Sequence, residues 1–438
     1  MKLKTYRLTP TDLLFFRDGR PMAAGEGIGH GARWPLPPVF FDALHAALHR
    51  AFPEKQTWEE THSGHTKNGR GREGEQRFGT LRTVGPFPCR DSEWLFPAPL
   101  DARLDKESAQ ARSLLPLGDE RNKANDLPDP LKYALGNPSA PGKEEVPRWW
   151  TASDWRTYLE TGALPLDGES TNADSLFDPE PTTGIGTDPA TGTQDGERIY
   201  SAEYLRLREG VSLACAATLP AGEKDGLAEL FPASGAILCG GQQRVCQVET
   251  TAVPAIDESL PASESVTGER VKWALLSPAL FPKSSGHPGG WLPGWVCPDS
   301  GKVHLPREKP GRNPGESRRR WRKRIKAAQE EKPLDVRLVA AAIGKPEILT
   351  GWSDALPVVN HGDGDTKTSA GGKATRLAVP AGSVYYFEGP DAPVLARLVS
   401  WDGDPSGSVV TRSGALGEKG LGLGVCGPWD FYDSDTAD

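Results

Sequence analysis

Glycine and proline interrupt this chain too often for helices to dominate it. Its 438 residues include 50 glycines and 40 prolines, which weaken helices and favour turns. A chain of this length exceeds one ordinary hydrophobic core, so two or three domains are expected. The sequence therefore predicts a globular α+β protein of strands, short helices and many loops.

Charge is distributed unevenly along the chain. The net charge is −8, which excludes a protein that is basic over its whole surface. Residues 167–195 carry seven acids and no lysine or arginine, whereas residues 312–326 carry eight bases and one acid. A polyanion would therefore bind to one face of the protein.

Metal, cofactor and membrane signals are weak. The six cysteines are scattered without a CxxC pair, which argues against a cysteine-based zinc site and against a disulfide framework. We predict no metal and no cofactor. There is also no apolar run of about 18 residues and no secretory signal pattern. The sequence predicts a cytoplasmic protein without membrane contact.

The two halves of the chain show the same order of elements. Each half is predicted to contain a strand, a helix, two strands, a helix, a glycine turn and a last strand, and Ser-Gly-Ala precedes the glycine turn in both. This repeat favours two tandem ferredoxin-like (RRM-like) βαββαβ domains. We place them at residues 1–255 and 266–438. The first carries insertions at about 53–80 and 101–196, with 162–196 expected to be a loop.

The first strand is predicted to lead into a loop rich in arginine and glycine. Alternation over residues 3–9 indicates the strand, and Pro37 and Pro38 are expected to begin a helix that continues to Ala51. Arginine donors beside backbone amides suit phosphate or single-stranded RNA. The alternative is that Arg17 and Asp18 only lock a turn by a local ion pair. The candidate RNA-binding residues of this loop are Arg17, Arg20, Gly25, Gly27, Gly29, His30 and Arg33.

A second glycine-dense stretch lies at Ser413–Trp429. Glycines this close together let backbone amides approach an anion, and Lys419 adds a positive charge. The stretch lacks the Gly-Lys-Ser/Thr of a P-loop. We predict that this turn and its equivalent near residue 240 face one cleft that holds RNA; the alternative is a tight turn packed on a sheet. The candidate residues are Gly240, Gly241, Arg244, Lys419, Gly420, Gly422 and Gly424.

The basic run Arg318–Lys326 has little local neutralisation. It is predicted to be partly helical and to bind a polyanion or an acidic partner, with Arg319, Arg320 and Arg322 as candidate RNA-binding residues. The alternative is a solvated helical face.

Several motifs spread along the chain resemble one protein family. They are LLFFRDGRP (Leu13–Pro21), GERIYSAEYLRL (Gly196–Leu207), GKPEILTGW (Gly344–Trp352), VPAGSVYYFEG (Val379–Gly389) and GLGLG (Gly420–Gly424). They resemble the CRISPR-associated RAMP superfamily, in particular the third Cmr subunit of type III-B effector complexes. The chain departs from that pattern at Met22, where the family commonly has an aromatic residue.

The resemblance implies an antiviral, non-catalytic RNA-binding subunit with two ferredoxin-like domains. Such a subunit holds the 5′ repeat-derived tag of the guide (crRNA). It contacts the large polymerase-cyclase subunit and the backbone RAMP subunit, and it meets target RNA only indirectly.

Two other functions stay open at this point. Some RAMP relatives cut RNA without metal, using a histidine in the loop after the first strand, and His30 lies in such a loop. No second acid or base accompanies it, which argues against a CRISPR RNA-processing endoribonuclease. The remaining alternative is a protein scaffold whose Arg/Gly loops are buried in protein interfaces.

Overall fold

The structure is a computed structural model of the chain. It describes residues 3–16, 28–29, 32–51, 81–119, 125–140, 142, 145–166, 176–188, 190–218, 230–231, 234–250, 254–308, 310–311, 313, 316–350, 352–353, 371–372, 375–404 and 408–432. Strands predominate and helices are few, as the glycine and proline content predicts.

The described helices are α1 (Pro37–Ala51), α2 (Ala152–Thr161), α3 (Ile256–Ser259), α4 (Arg318–Glu331) and α5 (Ala392–Val399), with 3-10 turns at Gly241–Gln243 and Gly417–Lys419. The strands of the first half are β1 (Lys4–Pro10), β2 (Ile28–Gly29), β3 (Arg82–Arg90), β4 (Glu93–Pro97), β5 (Ala102–Leu104), β6 (Gln110–Ser113), β7 (Leu115–Pro116), β8 (Leu135–Gly136), β9 (Trp149–Thr151), β10 (Ala163–Pro165), β11 (Phe177–Thr187), β12 (Gln194–Leu207), β13 (Val211–Thr218), β14 (Ser234–Leu238) and β15 (Val245–Glu249). Those of the second half are β16 (Arg270–Leu275), β17 (Arg337–Ala342), β18 (Glu347–Leu349), β19 (Trp352–Ser353), β20 (Gly371–Gly372), β21 (Arg376–Ala378), β22 (Val384–Glu388) and β23 (Gly424–Gly427).

Each half is built around one antiparallel sheet. The first sheet has the order β14-β15-β1-β13-β3-β4-β9, and the second has the order β17-β22-β16-β23. In the first sheet, β1 lies between β13 and β15, the last strand of that half. In the second sheet, β16 lies between β22 and β23, the last strand of that half. The glycine turns at residues 240–244 and 413–422 immediately precede those end strands, β15 and β23.

The helix α1 covers one face of the first sheet. Its buried side chains recur at the spacing of one helical face, and Tyr6 and Leu8 of β1 belong to the same core. Pro37 begins the helix, as predicted, because proline has the backbone angle of the first turn and needs no donor there. The buried α1 residues are Phe40, Ala43, Leu44, Ala47 and Leu48.

The two halves share a hydrophobic core. One cluster combines Ala214 and Ala216 of β13 with Ala274 of β16 and Val425 of β23, all nearly inaccessible to solvent. Small side chains on β13 let the layers approach closely. The halves are therefore packed into one body through buried apolar surface, which is the main favourable contribution to folding.

One expectation about the insertions is wrong. Residues 162–196 were expected to form a loop, but β11 occupies Phe177–Thr187 and pairs with β12 along a long antiparallel hairpin. Most β11 residues are exposed on both faces, so the sequence lacks the apolar alternation that identifies a strand. The hairpin therefore extends from the first half as an arm, which we call the β11–β12 arm. The insertion at 53–80 lies outside the described residues.

Candidate nucleic-acid interface

The arginine/glycine loop starts and ends at one point on the first domain. The Ala32 amide donates to the Phe16 carbonyl over 2.7 Å, so the chain returns to Phe16 after this stretch. Phe15 and Phe16 are both buried, and Leu14 exchanges two backbone hydrogen bonds with Leu205 of β12. The base of the loop is therefore fixed by the core. Five candidates of this loop lie outside the described residues: Arg17, Arg20, Gly25, Gly27 and His30.

The returning part of this loop runs beside the β11–β12 arm. The backbone of Ile28 and Gly29 forms a parallel pair with Ser201 and Ala202 of β12. Gly29, another candidate, therefore lies in the strand β2 next to the arm.

The glycine turn at residue 240 is packed against the base of the same loop. The Gly241 amide donates to the Phe15 carbonyl over 2.8 Å. At Gly240, where φ is +80°, a Cβ atom would lie 2.7 Å from the Phe15 carbonyl oxygen, so only glycine fits. Gln242 and Gln243 follow with φ of +55° and +52°. Two successive non-glycine residues in the left-handed region are strained, and such strain is concentrated at functional sites.

Arg244 is held against an aromatic ring at this turn. Its guanidinium lies 4.9 Å from the centre of the Tyr204 ring, and the Tyr204 hydroxyl donates to Gln242 Oε1 over 2.5 Å. Asp12 is a distant ion-pair partner at 3.7 Å, and Arg244 Nε has no hydrogen-bond partner within the described residues. A planar guanidinium held in this way can donate hydrogen bonds to a phosphate while its face stacks on the ring.

Tyr204 and Gln242 were not predicted as site residues from the sequence. Tyr204 lies in the motif GERIYSAEYLRL, which carried part of the family resemblance, so a signal for it was present. Gln242 has no comparable signal, because its left-handed backbone is visible only in the structure.

The C-terminal glycine turn makes close protein contacts. A Cβ at Gly420 would lie 2.9 Å from the Thr83 carbonyl oxygen, and a Cβ at Gly422 would collide with the Ser413 backbone. A Cβ at Gly424 would collide with Trp273. Both Gly420 and Gly422 have positive φ. Packing alone therefore requires these glycines, whether or not RNA also approaches them.

Lys419 has two partners within the protein. Its Nζ lies 2.5 Å from Asp42 Oδ1 and 4.6 Å from the centre of the Phe41 ring, both on α1. The lysine side chain is 18% exposed. Lys419 thus connects the second half to α1, and a phosphate contact by the same group stays a prediction.

The two glycine turns lie toward opposite ends of β1, and a single cleft that both turns face stays a prediction. Val245, at the end of the first turn, bonds to Thr11, just beyond the last residue of β1. The second turn contacts Thr83 of β3. Through Ala217 of β13, Thr83 is in register with Lys4, at the other end of β1. A strand rises about 3.3 Å per residue, so the turns are roughly 20 Å apart along the sheet.

Arg33 lies beside a second arginine where the two halves meet. The rings of Trp34 and Trp149 lie 5.8 Å apart, which brings together the arginines that precede them in sequence, Arg33 and Arg148. Burial lowers the pKa of Arg148; the charge of Glu347 opposes that shift and Arg33 adds to it. Glu347 is thus the carboxylate that acts on Arg148, and Arg33 adds a second positive charge beside it. Arg148 was not predicted as a site residue from the sequence.

The basic-run candidates lie on α4, apart from the glycine turns. Arg319 and Arg320 are exposed in its first turn, and Arg322 follows in the same helix. Within the described ranges, no group of three or more His, Cys, Asp or Glu residues could hold a metal ion. No helix in those ranges has both the length and the apolar character that a membrane-spanning segment needs.

Comparison with known families identifies the class of this protein. The sequence matches the family described as CRISPR-associated protein (Cas_Cmr3) over residues 6–429. The chain is therefore a CRISPR-associated protein, and within that class it belongs to the Cas_Cmr3 family. This confirms the resemblance found in the sequence, and the family supports a subunit of a type III CRISPR effector complex. Among curated proteins, no match was found.

Solved structures that are similar to this chain come from type III complexes. A cryo-EM structure of the Type III-B Cmr-beta bound to cognate target RNA and AMPPnP has a TM-score of 0.41 and 14% identity, covering 87% of this chain and 86% of that chain. A crystal structure of a Csm3-Csm4 subcomplex has a TM-score of 0.33 and 12% identity, covering 88% and 94%. A Csm1-Csm4 cassette with AMPPNP has a TM-score of 0.28 and 14% identity, covering 65% and 80%.

Proposed function

We propose that this chain is the non-catalytic subunit that holds the 5′ repeat-derived tag of the guide RNA in a cytoplasmic type III-B effector complex. It would bridge the large polymerase-cyclase subunit to the backbone subunits, and meet target RNA only through the guide. The proposal includes two ferredoxin-like domains. It is supported by the strand order of the two sheets, in which the first strand of each half is an interior strand, and by the helices α1 and α5 between strands.

The observation that carries this proposal is the closed base of the arginine/glycine loop. Hydrogen bonds from Ala32 to Phe16 and from Gly241 to Phe15 fix both ends of the loop on buried residues. A loop anchored in this way can present arginine side chains and amides to one strand of RNA without unfolding its surroundings. Single-stranded RNA is recognised by such donors together with stacking surfaces.

Three arginines mark the path that this RNA would follow along the protein: Arg244, Arg33 and Arg148. Arg244 stands at the loop base beside the β11–β12 arm. Arg33 follows the loop, and Arg148 is next to it at the junction of the halves. Phosphates of the tag would run from Arg244, past the loop, to the arginine pair.

The test compares two arginines that lie near the arm. Arg244→Gln removes the phosphate donor above Tyr204, whereas Arg208→Gln removes an exposed arginine that is paired with Asp178. We expect Arg244→Gln to weaken binding of a labelled RNA with the 5′ tag by roughly tenfold, the value of one charge-assisted hydrogen bond. Arg208→Gln should bind the tagged RNA like wild type.

Equal binding of tagged RNA by wild type and Arg244→Gln would contradict the tag site. The same incubations test catalysis, because intact RNA is expected on a denaturing gel. Cleavage by the wild type that disappears in His30→Ala would overturn the non-catalytic assignment. An Arg17→Ala and Arg20→Ala double variant should lose guide retention while melting like wild type.

A surface for a protein partner is supported by an exposed apolar pair. Ile348 of β18 and Leu377 of β21 lie directly opposite each other and are 42% and 57% exposed. Their two-stranded ribbon lies next to the junction of the halves, where Glu347 interacts with Arg148. A subunit that bridges two neighbours needs such a surface.

A further inference from the structure

The helix α4 lies outside the hydrophobic cores. It runs for 14 residues from Arg318 to Glu331, and none of its described side chains is fully buried. Its apolar members Trp321 and Ile325 are only half-buried, and neither belongs to the core clusters formed by the described residues. Something other than core packing must hold this helix in place.

Hydrogen bonds attach the inner face of α4 to the segment before it. Trp321 Nε1 donates to the Pro310 carbonyl over 2.6 Å. Arg324 donates to both carboxylate oxygens of Glu316, over 2.9 and 2.8 Å. Gln329 donates to the His304 carbonyl over 2.9 Å. These attachments fix which face of the helix points outward.

The outer face is cationic. Arg319, Arg320, Lys323 and Lys326 are all exposed. Arg319, Lys323 and Lys326 are spaced by four and three residues, which places them on one side of the helix. Lys326 lies 3.7 Å from Glu330, but Arg319, Arg320 and Lys323 have no ion-pair partner among the residues that the structure describes.

The order of charges along α4 opposes the helix dipole. The first turn contains arginines and no acid, and the last turn contains acids and no base. Backbone dipoles already make the start of a helix positive and its end negative, and each charge of the wrong sign costs about 0.3–1 kcal/mol. The helix is therefore less stable than one with the same residues in the opposite charge order. An anion near its first turn would remove much of that cost.

We propose that α4 is a second RNA-binding element, which holds the phosphate backbone through its outer face and becomes a more stable helix when RNA is bound. Arginine binds phosphate in a bidentate manner, and phosphate contacts carry no sequence information. The element would therefore bind RNA of any sequence. This inference goes beyond the tag site and does not depend on it.

RNA fits this face better than an acidic protein surface does. A protein interface needs apolar or aromatic anchors at its centre and is depleted in lysine. The outer face of α4 offers arginines and lysines, with Glu330 near its end, and its tryptophan is turned inward to Pro310. The protein as a whole carries a net charge of −8, which repels RNA, so RNA would bind where positive charges are concentrated, as they are on this helix.

The test is a triple variant, Arg319→Gln, Arg320→Gln and Lys323→Gln, in the full chain. The probe is a labelled single-stranded RNA without repeat sequence, titrated at several salt concentrations. Each phosphate contact contributes about 0.7 to the salt slope for a single strand, so the slope should fall by about 2. A control triple, with Lys106→Gln, Lys283→Gln and Lys345→Gln, removes three exposed lysines elsewhere and should keep the wild-type slope.

Hydrogen exchange of the α4 amides gives a second readout. In wild type, adding this RNA should increase protection of residues 318–331. The α4 triple variant should show no increase with RNA, and without RNA its α4 should be at least as protected as in wild type, because two of the wrong-sign charges in its first turn are gone.

Three outcomes would overturn the proposal. They are an unchanged salt slope in the α4 variant, an equal loss in both triples, and loss of subunit assembly with RNA binding intact. The last would make α4 a protein-docking helix. Because the probe lacks the tag, these outcomes are independent of the tag experiment.

Discussion

A buried ion pair connects the halves at the level of single residues. Asp101 is inaccessible to solvent, and its carboxylate lies 3.3 Å from the Lys272 ammonium. It also accepts hydrogen bonds from Tyr158, Tyr386 and Ser113, over 2.8, 2.7 and 3.1 Å. Asp101 comes from the first half and Lys272 from β16 in the second. Burial and the Asp101 charge raise the pKa values of both tyrosines.

Removing one member of this pair should be more damaging than removing both. Lys272→Met leaves a buried carboxylate without its cation, which typically costs about 3–5 kcal/mol. The double variant Lys272→Met with Asp101→Asn should recover much of that loss, because it leaves no buried charge. Chemical denaturation of Lys272→Met, Asp101→Asn and the double variant measures their free energies of unfolding. A double variant that is as unstable as the sum of the singles would contradict this account.

The C-terminal glycine turn should be sensitive to a side chain at Gly422. Gly422→Val would place a branched side chain against the Ser413 backbone at φ of +79°, so we expect a loss of at least about 2 kcal/mol in unfolding free energy. Gly294→Val is the matched control, since a Cβ there meets nothing within 4 Å. Melting curves of both variants decide. If the two variants melt alike, packing does not explain Gly422.

Lys419→Ala tests the phosphate contact in the same turn. The ion pair with Asp42 is partly exposed and should contribute no more than about 1 kcal/mol to stability. If Lys419 contacts a phosphate, its loss should lower the salt slope of RNA binding by about 0.7. RNA titration at several salt concentrations measures this. An untouched affinity and slope would remove Lys419 from the RNA site.

At the scale of elements, the ribbon of β18 and β21 should be a partner contact. Ile348→Ser with Leu377→Ser removes exposed apolar area without touching the core, so thermal stability should change little. We expect reduced co-purification with the other subunits of the effector complex. Ile185→Ser, at a residue 53% exposed on the arm, is the control for a general change in solubility. Normal assembly of the double variant would exclude this ribbon as an interface.

The sequence predicts some elements well and others poorly, for physical reasons. The strand β1 and the helix α1 were found because one face of each is buried, which leaves a period of about two or 3.6 residues in the apolar pattern. The strand β11 was missed because its pairing with β12 satisfies the backbone while both faces meet solvent. A strand produces an apolar periodicity in the sequence only when one of its faces is buried, and backbone pairing alone produces none.

The candidate site shows the same limit. Arginine and glycine density located the loop and the turn at residue 240, but glycine is required both for packing and for an approach by phosphate. Gly422 and Gly240 have protein atoms where a Cβ would lie, and only coordinates reveal this. The sequence could not reveal that Arg148 lies near Arg33. The contact between Trp34 and Trp149 brings them together, and these two tryptophans are far apart in sequence.

At the scale of the whole molecule, the halves are interdependent. The shared core holds Ala214 and Ala216 of the first sheet against Ala274 and Val425 of the second, and Asp101 pairs with Lys272 across the same interface. Lys419 adds a contact with α1. Neither half can expose these buried groups without losing the apolar burial that stabilises it.

We therefore expect the two halves to unfold together. Calorimetry should show one transition with a calorimetric enthalpy close to the van't Hoff enthalpy, although chains of this size commonly unfold in steps. Residues 266–438 expressed alone should be unfolded or aggregated, since Ala274 and Val425 would face solvent. Co-expression with residues 1–255 should restore a soluble pair with a melting temperature close to that of the intact chain. Two separated transitions, or a cooperative fold of residues 266–438 alone, would show that the shared core is a contact between independent domains.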